Sequence, residues 1–140
     1  MRTKGYMVVF GLLFLVSLNE QHYLSPQNLQ GCDRFRVGKF RIDSELDSTY
    51  WIIERTDSTQ IETNALSGMT QTLKIRWTGP CEYELTLLNL TEKPKDSLIA
   101  RMQKIPLKTK IIQTGKDYYI FESYKEGIEF IFSDTLRLIE

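Results

Sequence analysis

From Phe35 to Ile139 apolar and polar side chains alternate with few interruptions, and a period of two restricts most of this stretch to β-strands. The clearest case is Leu73, Ile75 and Trp77 alternating with Thr72, Lys74 and Arg76. After Trp77-Thr78-Gly79-Pro80-Cys81 the pattern resumes, with Tyr83, Leu85 and Leu87 alternating with Glu82, Glu84 and Thr86. Gly-Pro breaks any strand ladder, so the two runs form a hairpin. Strands are also expected at 36–42, 50–56, 59–64, 107–113, 118–124, 128–132 and 135–139. The turns between them are Asp57-Ser58, Ser67-Gly68, Thr114-Gly115-Lys116-Asp117, Lys125-Glu126-Gly127 and Ser133-Asp134. The single helical candidate lies around 95–104, behind a loop at 91–96 that contains Pro94.

Eight or nine short strands with tight turns favour an antiparallel meander, and closure into a barrel removes its free edges. An eight-stranded barrel has an interior just wide enough for side chains or one small ligand. The expected fold is therefore all-β: an antiparallel meander of about eight strands, a lipocalin-like up-and-down barrel, with a β-sandwich as the alternative. The domain is expected to occupy 35–140.

Ahead of it, 1–6 carries Arg2 and Lys4, and 7–18 (MVVFGLLFLVSL) has ten strongly apolar residues in twelve. A positive start and a short apolar stretch form the pattern of a secretory signal peptide, here 1–21, followed by a polar spacer at 22–34. Twelve residues are too few to span a hydrocarbon layer that takes about 20. Leu29-Gln30-Gly31-Cys32 resembles a lipoprotein box, but thirteen residues including Pro26 separate Leu18 from Cys32, where the box should adjoin the apolar stretch. The expectation is an exported chain in the periplasm or outside the cell, without a transmembrane anchor once the leader is cleaved.

Cys32 and Cys81 are the only two cysteines. In an exported chain an even count favours a disulfide, and neither a C-x-x-C motif nor further metal ligands stand beside them. The one histidine, His22, falls in the spacer, so no Ser-His-Asp or Cys-His pair can assemble in the domain. Glycine-rich phosphate loops are missing too, because Gly115 and Gly127 sit in hairpin turns. No cofactor or metal is implied. The chain has 18 basic and 18 acidic side chains; Arg2, Lys4 and Glu20 leave with the leader, so 16 and 17 remain. Such a balance argues against a nucleic-acid partner, which requires a concentrated positive surface. The lysines of 101–116 make the one basic stretch, and Lys108 and Lys110 alternate as on a solvated strand face.

Two groups remain as candidate sites. Arg55, Gln60 and Glu62 flank the Asp57-Ser58 turn, which sets Arg55 near Gln60 and diagonal to Glu62. They form either a cross-strand polar cluster or a ligand-orienting group at a barrel mouth. Trp51, Trp77, Tyr83, Tyr119, Phe121 and Phe130 are candidates to line a cavity for an apolar ligand. Glu54, Glu62 and Glu84 are the one set of strand carboxylates that would suit a hydrolase if they converged.

Cys32-Asp33-Arg34-Phe35-Arg36-Val37-Gly38-Lys39-Phe40, Ile53-Glu54-Arg55, Gln60-Ile61-Glu62, Ile75-Arg76-Trp77 and Cys81-Glu82-Tyr83-Glu84-Leu85 together carry a resemblance. The pattern resembles a group of small exported proteins of Bacteroidetes-type bacteria with no established function. It implies a bacterial envelope location, supports the disulfide, and transfers no catalytic residue. The expected function is non-enzymatic binding of a small apolar or amphiphilic ligand. An envelope protein-interaction module is the alternative, and a carboxylate hydrolase a distant third.

Overall fold

The computed structural model describes residues 31–140. The expected signal peptide at 1–21 and most of the spacer, His22 included, lie outside the described residues. The chain is an all-β meander closed into a barrel of eight antiparallel strands in sequential order. These are β1 (Gly38–Asp43), β2 (Tyr50–Arg55), β3 (Thr59–Asn64), β4 (Thr70–Gly79), β5 (Glu82–Leu90), β6 (Leu107–Thr114), β7 (Tyr118–Lys125) and β8 (Ile131–Leu138). A 3₁₀ turn at Cys32–Phe35 precedes β1. The helix α1 (Ser97–Gln103) lies between β5 and β6, capped by the Asp96 carboxylate, which accepts from the Leu98 and Ile99 N–H groups.

Closure comes from β1 meeting β8, where Phe40 stands opposite Leu138. Lys39 N–H donates to the Glu140 carbonyl at 2.8 Å, and Ile139 N–H donates to the Lys39 carbonyl at 2.8 Å. Gly38 makes this seam possible. Its φ of +146° is one that side-chain-bearing residues rarely adopt, and a Cβ there would lie 2.9 Å from Leu138 Cδ1 and 3.0 Å from the Glu140 carbonyl oxygen. Gly38→Ala is expected to lower stability by about 1–3 kcal/mol, read as a lower denaturation midpoint. An unchanged midpoint would mean that the β1–β8 seam does not need this glycine.

One expectation requires correction. Ser133-Asp134 does not break the chain into two strands: β8 runs through both, with Ser133 opposite Glu122 and Asp134 opposite Phe121. The β7 ladder supplies backbone partners at these positions, which outweighs the weak strand preference of serine and aspartate. The strand also begins later than expected, at Ile131, leaving Phe130 in the loop before it and 66% exposed.

The two ends of the barrel differ. At one end sit the β2–β3, β4–β5 and β6–β7 turns and the 3₁₀ turn. The Cys32–Cys81 disulfide, with Cα atoms 5.4 Å apart, ties that 3₁₀ turn to the β4–β5 turn. Phe35 is thereby inserted into the barrel, fully buried, with its ring 5.0 Å from that of Tyr119 and 6.5 Å from that of Phe40. Ile75, Ile111 and Leu136 complete a packed core. At the other end lie the β1–β2, β3–β4 and β7–β8 loops and α1, and this end stays open. No helix among the described residues is long and apolar enough to cross a membrane.

Candidate functional site

A cavity of about 440 Å³ occupies the half of the barrel that Phe35 does not fill. Alternation builds its wall: Ile53 from β2, Leu85 from β5, Phe121 from β7 and Leu136 from β8 all point inward and are buried. At the mouth stand Asp43, Glu45 and Leu46 with Trp51, Leu107, Phe132 and Asp134. This rim is acidic. The Asp134 carboxyl is held above the ordinary aspartate range, first by burial and then by the nearby Glu45 and Asp43.

The inner end of the cavity is polar and is organised by Arg55, only 3% exposed. Its Nε–H donates to Gln60 Oε1 at 2.7 Å, and one Nη1–H donates to the Phe35 carbonyl at 2.9 Å. Nη2 faces the Tyr119 hydroxyl at 3.1 Å and the Tyr83 hydroxyl at 3.4 Å, and those hydroxyls lie 2.9 Å from each other. The guanidinium also packs over the rings of Tyr83, at 4.8 Å, and Phe40, at 4.9 Å, where the electron-rich faces attract a cation. Arg55 therefore separates the packed core from the empty half.

Burial works against the charge on Arg55, but the electrostatic pull and hydrogen bonds of Tyr119 and Tyr83 more than offset it, and its pKa is raised. The Tyr119 phenol is pushed well above the ordinary tyrosine range by burial and by Tyr83, despite the neighbouring guanidinium. Tyr119 thus meets Arg55 as a neutral phenol, not as a counter-ion. The nearest carboxylate in its network is one side chain removed: Gln60 Nε2 donates to Glu62 Oε1 at 2.5 Å, and Gln71 Nε2 donates to the other Glu62 oxygen. Farther along the wall, the hydroxyls of Thr109 and Ser123 share a buried hydrogen bond of 2.7 Å.

Arg55, Gln60 and Glu62 are thus brought together, but inside the barrel and at the inner end of the cavity rather than at its mouth. Arg55 stands opposite Gln60 in the β2–β3 ladder, and Glu62 stands opposite Ile53. Among the aromatic candidates, Trp51, Tyr83 and Phe121 line the cavity. Tyr119 lies below Arg55 in the core, Trp77 packs on Tyr83 at 4.9 Å beneath Arg36, and Phe130 is on the outer surface. The three glutamates do not converge. Glu62 points inward, whereas Glu54 is exposed outside and Glu84 pairs with Arg76 on the outer face at 2.5 Å. No group of histidine, cysteine and acidic side chains among the described residues could hold a metal.

Sequence reasoning missed the Thr109–Ser123 hydroxyl pair. The signal was present: Thr109 sits between Lys108 and Lys110, and Ser123 between Glu122 and Tyr124, so the alternation assigns both to the inner face. Comparison of the chain with family models, with curated proteins and with solved structures finds no match in any of the three.

Proposed function

We propose that this protein is a non-enzymatic carrier or receptor for a small amphiphilic molecule held inside the barrel, acting in the cell envelope or outside the cell. The observation that carries the reading is the half-filled interior. An eight-stranded barrel can fill itself with side chains, yet here about 440 Å³ is left above Arg55, within the roughly 300–1,000 Å³ typical of small-molecule sites. Its walls are apolar and its inner end carries a few convergent polar groups, the usual division of labour in such sites. Export is supported by the Cys32–Cys81 bridge, because disulfides persist in oxidising compartments.

The test is native mass spectrometry of protein purified from its own envelope fraction, together with titration of an environment-sensitive apolar fluorophore. A one-to-one mass increment, displaced by the fluorophore, is the expected result. A protein of bare mass that leaves the fluorophore dark would defeat the reading.

A protein-interaction role has one observation in its favour. Leu98, Ile99, Tyr124, Phe130 and Ile131 are all exposed, and the order of strands and loops places them toward the open end. Exposed apolar groups mark contact surfaces where they form one contiguous patch.

A further inference from the structure

The donor count around Arg55 identifies the kind of polar group the cavity accepts. This step rests on the ligand-binding reading above and adds the chemistry of the headgroup. A guanidinium has five N–H bonds. Four are directed at Gln60, Phe35, Tyr119 and Tyr83, which leaves one on Nη1 with no acceptor among the described residues. Two phenols that share one hydrogen bond use one proton in it, so a second phenol proton remains. Tyr83, unlike Tyr119, lines the cavity and can present that proton to it. The Thr109–Ser123 pair leaves one more hydroxyl proton by the same count. On the acceptor side, Gln60 Oε1 accepts from Arg55, and the Glu62 carboxylate, which also lines the cavity, accepts from the Gln60 and Gln71 side-chain amides and keeps lone pairs to spare. The inner end therefore offers several unshared donors beside a buried cation whose direct partners include no carboxylate, the nearest in its network being Glu62 beyond Gln60.

We propose that the ligand carries a carboxylate, which enters first and lies against Arg55 and the Tyr83 hydroxyl, with its apolar chain running past Leu85, Phe121 and Leu136 toward the mouth. The rim favours this direction, because Glu45 and Asp134 would repel the same headgroup there, whereas the third rim acid, Asp43, is paired with Arg41 at 2.6 Å. Trp51 at the rim and Arg55 at the inner end lie four residues apart on β2, about 13 Å along the strand, which suits a medium-length chain.

Isothermal titration of the full chain with decanoate, decanol and decyltrimethylammonium separates the possibilities. Decanoate is expected to bind roughly tenfold or more tightly than the other two, as one charge-assisted hydrogen bond would give. Tyr83→Phe is expected to weaken decanoate by roughly fivefold or more while moving decanol by less than about twofold. Arg55→Met is expected to abolish the preference, with folding checked by circular dichroism; if that variant does not fold, Tyr83→Phe carries the test. Equal binding of decanoate and decanol, or tighter binding of the ammonium, overturns the carboxylate while leaving the ligand-binding reading in place. Failure of all three to bind overturns both.

Discussion

Reduction of the Cys32–Cys81 bridge, or Cys32→Ser combined with Cys81→Ser, is expected to lower the unfolding free energy by about 4 kcal/mol at 25 °C. The two cysteines are 49 residues apart, and the cost of closing a loop of that length moves from the cross-linked denatured chain onto the folding reaction. The native state is affected as well. The bridge holds the 3₁₀ turn that inserts Phe35, so its loss frees the plug of the closed end, and the Phe35–Tyr119 and Phe35–Phe40 contacts become easier to open. For a domain this size, 4 kcal/mol is a large share of the ordinary total of about 5–15 kcal/mol. Urea unfolding with and without reductant measures it. A loss below about 1 kcal/mol would mean that the barrel holds the plug without covalent help.

Arg55→Ala is expected to be nearly as costly, at about 3–5 kcal/mol, although it removes a charge that is expensive to bury. The reason lies in what stays behind. Gln60 Oε1, the Phe35 carbonyl and two tyrosine hydroxyls lose a buried donor, and each group left orphaned where cavity water does not reach it costs about 1–3 kcal/mol before relaxation. The cation–π contacts with Tyr83 and Phe40 go with it. Arg55→Lys should recover little, because an ammonium is a point charge and cannot reach these divergent acceptors with a planar fork. Tyr119→Phe, which removes one partner only, should cost about 1 kcal/mol. Chemical denaturation of the three variants gives the order. An Arg55→Ala protein within about 1 kcal/mol of the parent would show that the burial cost of the guanidinium cancels its contacts, and that its place in the wall is not structural.

Much of the fold was legible because a two-residue period survives in most strands. The hairpin from Leu73 to Leu87 reads directly: β4 and β5 pair Leu73 with Leu87, Ile75 with Leu85 and Trp77 with Tyr83. The β2–β3 turn was equally plain, and with it the Arg55–Gln60 pairing. Where the reading slipped, local composition and tertiary pairing disagreed. Ser133-Asp134 is turn-like in isolation and becomes strand only because β7 lies beside it. Phe130 looks like core from its neighbours, but the strand starts one residue later and leaves it outside.

By itself the sequence determined most of the strands and their antiparallel order, which depend on residue type and near-neighbour spacing, and the partners Cys32 and Cys81, since there are no other cysteines. Only the tertiary structure decided which inward-facing residues fill the barrel and which border empty space. That outcome depends on the insertion of Phe35 from outside the sheet, and on contacts such as Arg55 to Tyr119, 64 residues apart. Alternation assigns Tyr83 and Tyr119 alike to the inner face. Packing alone sends one to the cavity wall and the other beneath Arg55.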